Sequence, residues 1–422
     1  MGLVRVVITG LGVIAPNGHG LESYERSLRQ GISGLRWIER LAQLNFACQV
    51  AGVPQNLEEL KAQYFTPEDL VAMNVNMAFS NIAAIDAWRD AGVPPPGEER
   101  DRGTGAIIGT GVGGPDTFGE RLVPAVLGGK VKRLGSTIAE QTMSSSVSAK
   151  TAGLLGLGNQ VTTNSSACTT GTEAVIMAAD RIRFGLARRM LAGGSESPSE
   201  FVIGAFDAMR VLDKNHNHEP ERASRPMSRS AAGFVPGSGA GVLMLESLQS
   251  AQARGAHIYA EVLGSALNCG GHRSGGSMTA PNSQAVQECI RMAIQAAGIQ
   301  AHDIDGINGH LTGTFADPIE VANWSAALER PAADFPLINA TKSLIGHGLG
   351  AAGGLELVAV VLQLARGFFH GSRNCEDLHD KLLPYAASIP HETIEPGRLN
   401  ILAKASFGFG DVNACVILKR WL

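Results

Sequence analysis

The stretch Asn164-Ser165-Ser166-Ala167-Cys168-Thr169-Thr170-Gly171-Thr172-Glu173-Ala174 decides how this chain is read. Before it, Gln160-Val161-Thr162-Thr163 reads as a short buried strand. After it, Val175, Ala178, Ala179 and Ile182 recur at helical spacing until Gly185. The Cys168 thiol therefore falls at a strand-to-helix junction. The first N–H groups of a helix lack partners within it and carry partial positive charge, which favours thiolate over thiol. The junction has the form of the nucleophile elbow of hydrolases, with sulfur in place of oxygen. A lone cysteine is often no more than a small buried hydrophobe. Here short hydroxyl and glycine neighbours leave room for a substrate to approach.

A nucleophile needs partners, and two histidines have suitable settings. They lie in Ile307-Asn308-Gly309-His310-Leu311-Thr312-Gly313-Thr314 and in Asn339-Ala340-Thr341-Lys342-Ser343-Leu344-Ile345-Gly346-His347-Gly348. Each follows a short apolar run (residues 304–308 and 335–339) and enters a glycine-rich turn. A helix of small residues is predicted over about 351–366. One histidine among 11 carries little weight alone. Three strand-end turns bearing Cys, His and His carry more. No Cys-x-x-Cys or His-Glu-x-x-His spacing occurs, so no metal site is expected.

Strand and helix patterns alternate along all 422 residues, which predicts an α/β protein with a large core. Aromatics are sparse at 5% and the net charge is −4, which argues against a nucleic-acid binder. No apolar run reads as long enough to span a membrane. The N-terminus enters a strand containing Arg5 without the layout of a signal peptide. Six scattered cysteines fit a reducing cytoplasm, where Cys168 stays usable. Two glycine runs, Gly10-Leu11-Gly12 and Gly109-Thr110-Gly111, mimic a dinucleotide fingerprint. Neither has the ribose-binding acid at the right distance, and both read as tight turns with close backbone packing.

Cys168, His310, Lys342 and His347 in these contexts resemble the active site of β-ketoacyl-acyl carrier protein synthases of the type I/II group. These are decarboxylating condensing enzymes with the thiolase fold. The similarity runs from Val4-Arg5-Val6-Val7-Ile8-Thr9-Gly10 to Ser406-Phe407-Gly408-Phe409-Gly410. It implies two similar α/β halves, 1–250 and 256–422, in one layered α-β-α-β-α body with the active site between them. A repeat of strand, turn and helix at residues 160–185 and 337–367 fits that plan.

The resemblance also implies roles. Cys168 would take an acyl group, and His310 and His347 would hold the enolate of a decarboxylating malonyl thioester. The backbone N–H groups of Cys168 and Phe409 would bind the oxyanion. Phe409 would also gate the acyl pocket, with Phe407 supporting it. Lys342 would pair with Glu356 in a partly buried ion pair that positions the His347 turn. Thr312 and Thr314 would hold pantetheine amides. No cofactor is expected to stay bound, since phosphopantetheine arrives on an acyl carrier protein. Lys130, Lys132, Arg133 and Arg225 would dock that acidic partner. A dimer is implied, either of identical chains or with a non-catalytic homologue.

Several strings depart from the family pattern. Thr66-Pro67-Glu68-Asp69 stands where a basic helix start is usual. Arg225-Pro226-Met227-Ser228 and Gly410-Asp411-Val412-Asn413 replace Arg-Pro-Phe-Asp and Gly-Gly-Thr-Asn. These changes spare the reacting groups and point to a specialised polyene or polyketide pathway as readily as to fatty-acid synthesis. Two other chemistries stay open. A non-decarboxylating thiolase would need a second cysteine, Cys375 or Cys415. A cysteine hydrolase would use one histidine and an acid.

Overall fold

Ten strands of one continuous sheet frame the site in the structure, a computed structural model that describes residues 3–422. In chain order they are β1 (Val6–Ala15), β2 (Thr104–Gly109), β3 (Val161–Thr162), β4 (Arg189–Glu196), β5 (Gly239–Ser247), β6 (Ala260–Cys269), β7 (Gly306–Asn308), β8 (Leu337–Asn339), β9 (Ile401–Gly408) and β10 (Val412–Arg420). In space they run β8-β7-β9-β10-β6-β1-β5-β4-β2-β3. Read outward from the middle, each run of five has its first, fifth, fourth, second and third strand in turn. The pairing senses match as well: β2 is parallel to β3 and β4 as β7 is to β8 and β9. The runs join where Val6, Val7 and Ile8 pair antiparallel with Val262, Glu261 and Ala260.

Six helices complete the layers: α1 (Val75–Asp90), α2 (Ser146–Leu155), α3 (Thr170–Arg183), α4 (Ser283–Ala297), α5 (Asp317–Leu328) and α6 (Ala352–Arg366). α3 and α6 pack on each other between the two sheet halves. α1 and α2 cover the outer face of the first half, and α4 with α5 covers that of the second. Strand periodicity builds this sandwich, because alternate side chains serve opposite layers. In β5, Leu243 and Leu245 join the central cluster while Val242 and Met244 join the outer one. In β10, Val416 and Leu418 point inward while Cys415 and Ile417 point outward. The result is the α-β-α-β-α body that the resemblance implies.

Small residues let the central helices close on the strands. A Cβ on Gly354 of α6 would stand 2.2 Å from the Gly241 carbonyl oxygen of β5. A Cβ on Gly171 of α3 would likewise stand 2.6 Å from the Gly354 N of α6, so the starts of the two helices lie side by side, and the active-site turns precede them.

Three expectations change. Gly10 and Gly12 are not in a turn; β1 runs straight through them, and they lie against α1 instead. β3 is half-buried rather than buried, because it is the edge strand and pairs only with β2. The stretch Leu349–Arg366 is long and apolar enough to cross a membrane, contrary to the sequence reading. Its composition is that of a helix wrapped on all sides, and 89% of it is buried.

Candidate active site

The Cys168 elbow is held by its own hydroxyls. Ala167 takes φ +51°, a left-handed conformation unfavourable for alanine. Thr170 secures the bend: its Oγ1 accepts the Ser166 N–H at 2.8 Å and donates to the Ala167 carbonyl at 2.7 Å. The sulfur is thereby turned into a cavity of about 280 Å³ at the seam of the two halves. The backbone N–H of Phe409, from the turn after β9, lies close enough to this sulfur to favour its ionised form.

His347 follows a short helix, Lys342–Ile345, and a left-handed Gly346. Its Nδ1 accepts the Leu349 N–H at 3.2 Å, so the ring hydrogen sits on Nε2, 3.1 Å from the Cys168 sulfur. His310 follows β7. Its backbone N–H and that of Leu311 donate to the two oxygens of Glu320, at 2.6 and 2.8 Å. Lys342 Nζ lies 3.5 Å from His310 Nδ1. An ammonium can only donate, so Nδ1 accepts and the hydrogen again sits on Nε2. The two rings meet edge to face with centroids 5.2 Å apart. The sulfur and one nitrogen of each ring all lie within 4.8 Å of one another. Those three donors would suit a soft divalent ion, but they line the cavity that a substrate must enter.

Burial and the nearby lysines hold both imidazoles well below the ordinary histidine range, so both are neutral. Cys168 departs from the sequence reading. Burial pushes its thiol up to about 11, against the opposing pull of Lys342 and the Phe409 N–H. A helix end alone does not ionise a thiol so deeply buried.

Lys342 and Glu356 form an ion pair that is fully rather than partly buried. Lys342 contacts His310, so the pair orients that ring and not only the His347 turn. Thr312 and Thr314 line the cavity, with their hydroxyls 3.0 Å apart. Phe407 meets the His310 ring at 6.3 Å. The Phe409 ring rests against Phe206, and these two with Cys168 border a second cavity of about 540 Å³. That cavity is lined by Phe118, Val123, Phe201 and Val202.

Arg225 is a correction. Its side chain is 6% exposed and pairs with Asp377 at 3.0 Å, so it does not offer a docking charge. Lys130, Lys132 and Arg133 are exposed in and beside the turn Val131–Arg133.

Four acids and bases escaped the sequence reading. Glu320 and Asp317 lie in the first turns of α5 and accept N–H groups of the loop that carries His310. Their spacing of three, on one helix face, was the available signal. Glu196 closes an apolar strand and accepts the N–H groups of Gly111 and Gly350. Lys404 stands alone in the apolar strand β9, where a lysine is hardly ever buried without a partner.

A cysteine elbow facing two neutral, Nε2-protonated imidazoles across a doubled α/β body defines a thiol-dependent condensing enzyme of the thiolase fold. The chain belongs to the β-ketoacyl synthase family. The family's N-terminal domain matches residues 4–251 and its C-terminal domain residues 259–376. A 3-oxoacyl-[acyl-carrier-protein] synthase 2 of Rhizobium meliloti (strain 1021) is 34% identical over 439 residues, covering 99% of each chain. The solved ishigamide ketosynthase/chain length factor superimposes with a TM-score of 0.88 at 29% identity, over 100% of both chains. A type II PKS ketosynthase, solved with its acyl-carrier protein, gives 0.87 at 28% identity, over 99% of this chain and 100% of that one. The protein is thus a condensing acyltransferase of fatty-acid or polyketide synthesis.

Proposed function

We propose that the protein joins an acyl group held on Cys168 to malonyl-acyl carrier protein with loss of carbon dioxide. The observation that carries this reading is the placement of one sulfur and two ring nitrogens within 4.8 Å of one another. In the first step the sulfur attacks a carrier-bound thioester. A new S–C bond forms at Cys168, the carrier's S–C bond breaks, and the thiol proton leaves on the pantetheine sulfur. The N–H groups of Cys168 and Phe409 hold the tetrahedral oxyanion. In the second step malonyl thioester loses carbon dioxide, and the Nε2–H groups of His310 and His347 hold the enolate oxygen. In the third step the enolate carbon attacks the acyl carbonyl, and the Cys168 S–C bond breaks to release a β-ketoacyl thioester. Lys342, locked against Glu356, is no base in this scheme.

Thr312 and Thr314 hold the pantetheine arm in the first cavity, and the acyl chain occupies the second. The Phe409 ring parts the two and serves as the gate. The arm comes on an acyl carrier protein, as in the solved complex of the type II PKS relative, and Lys130, Lys132 and Arg133 offer the exposed charge. A reducing compartment, the cytoplasm, suits a chain whose six cysteines are all free. A specialised polyketide or polyene pathway is favoured by the chain's own departures at Met227 and Asp411. The assembly is a dimer, either of identical chains or, in line with the ketosynthase/chain length factor relative, with a non-catalytic homologue, this chain being the half that carries the thiol.

Intact mass after incubation with acyl-carrier protein tests the reading. An acyl adduct is expected on the wild type and absent from Cys168→Ala, which keeps releasing labelled carbon dioxide from malonyl-carrier protein. Full condensation by Cys168→Ala would end the proposal.

A further inference from the structure

Lys404 is a buried cation that the proposed reaction does not touch. It lies in the middle of β9, and its Nζ is 2.8 Å from Glu356 Oε2 and 3.1 Å from Ser406 Oγ. The other Glu356 oxygen holds Lys342. One carboxylate thus serves two ammonium groups, and each of the three side chains is at most 1% exposed. Burial pulls the Lys404 ammonium below the ordinary lysine range and Glu356 opposes that pull; with both lysines charged, two positive charges against one leave a surplus of one, shut away from water. Such a charge is felt far more strongly than one at the surface.

Other titratable groups around the cluster bear on that surplus. His310 and His347 are neutral, and His370 after α6 is held down to about 4. Tyr24, from the helix Leu21–Gln30, and Cys415 of β10 keep their protons. Glu320 of α5 and Glu196 of β4 are pushed up to about 7, so they are largely uncharged below neutral pH and together offset about one charge near it, and the surplus within the Lys342, Glu356 and Lys404 cluster keeps the balance around the site from turning negative. The cluster also reaches the nucleophile through a contact. Ser406 Oγ lies 2.9 Å from Thr172 Oγ1 in the first turn of α3, just past Cys168.

We propose that Lys404 is a positioning residue whose ammonium supplies the surplus positive charge that draws negative charge onto the Cys168 sulfur and the substrate thioester oxygen. Lys342 with Glu356 alone would be a neutral pair. The inference rests on Cys168 being the reacting thiol. Its test reads that thiol directly and uses no carrier protein, so it stands or falls apart from the carbon dioxide assay.

The experiment follows Cys168 alkylation by iodoacetamide against pH, scored by mass at the Cys168 peptide, in wild type and three variants. Glu356→Gln raises the surplus to two. Lys404→Met lowers it to zero. The double variant Lys404→Met/Glu356→Gln restores one. The expected order of alkylation midpoints is Glu356→Gln lowest, wild type and double variant together, and Lys404→Met highest. Steps on the order of tenfold in rate at fixed pH are expected, equivalent to about one pKa unit. A side chain that only packs would not be rescued by removing a second group. Should Lys404→Met not fold, the double variant strands no carboxylate, and it must still match wild type and lie above Glu356→Gln. A double variant no closer to wild type than either single variant, or midpoints that ignore charge, would overturn the proposal.

Discussion

His347 Nε2 stands 3.1 Å from the Cys168 sulfur while the opposite nitrogen of the same ring accepts the Leu349 N–H. The backbone thereby fixes one tautomer. A ring that already carries its hydrogen on Nε2 cannot take the thiol proton there, so it acts as a donor to whatever negative charge forms beside it.

That assignment separates two amide replacements. In His347→Gln the side-chain NH₂ reaches the Nε2 position, while in His347→Asn it stops short, near Nδ1. Loss of one donor of this kind typically costs about two to three orders of magnitude in rate. Carbon dioxide release from malonyl-carrier protein is expected to fall by that much in His347→Asn and by clearly less in His347→Gln. Equal loss in both would show that the ring works as a base.

Glu320 gives the site a pH dependence. Burial raises its carboxyl from the ordinary 4.5 to about 7, against the pull of the Leu311 and His310 N–H groups. Because the folded value is the higher one, its contribution to stability is full below about 4.5 and is lost as pH rises through about 7. Function runs the other way, since only the ionised form offers both oxygens to the loop that carries His310. Carbon dioxide release is expected to show an acidic limb near pH 7. Glu320→Gln should lose that limb and stay near the low-pH rate of the wild type throughout. An unchanged limb in the variant would assign it to another group.

The legible part of this chain was its turns. Cys168, His310 and His347 each sit between a short apolar run and glycine, and local sequence is enough to place such residues at strand ends. The buried charges were not legible in the same way. Glu356 came only with the family resemblance, and Glu320 and Lys404, which meet the site from two further elements, did not come at all, because no spacing along the chain connects the three. Nor did the helix-end argument for Cys168 foresee how deeply the sulfur is buried. Gly10 and Gly12 show a third limit. A glycine pair signals close approach, but only the packing says whether a turn or a helix comes close.

Those glycines make a stability prediction with a built-in control. A Cβ on Gly12 would stand 1.9 Å from the Ala83 carbonyl oxygen of α1. Gly12→Ala is therefore expected to cost about 1–3 kcal/mol by overpacking. Gly153 lies inside α2 with nothing within 4 Å of its would-be Cβ. Gly153→Ala should instead stabilise by about 0.5–1 kcal/mol, since it restricts the unfolded chain. Urea midpoints should move in opposite directions with unchanged slopes. Movement in the same direction would contradict the packing described.

The second cavity argues for a partner. Phe118 and Val123 line it and are also exposed, and the chain goes on to Val126, Leu127 and Val131, all exposed apolar side chains. Leu127 is 83% exposed. Apolar surface of this extent beside the cavity proposed to take the acyl chain is costly to leave in water. A dimer that covers it would also close the cavity wall. Leu127→Asp places a charge in that contact, and its removal from a well-packed centre should weaken association by about 2 kcal/mol or more. Sedimentation is expected to show a dimer for the wild type and a monomer for the variant. Acyl loading on Cys168 should then fall for long chains far more than for acetyl, because only long chains reach the opened wall. A variant that stays dimeric and loads long chains normally would place the subunit contact on another face.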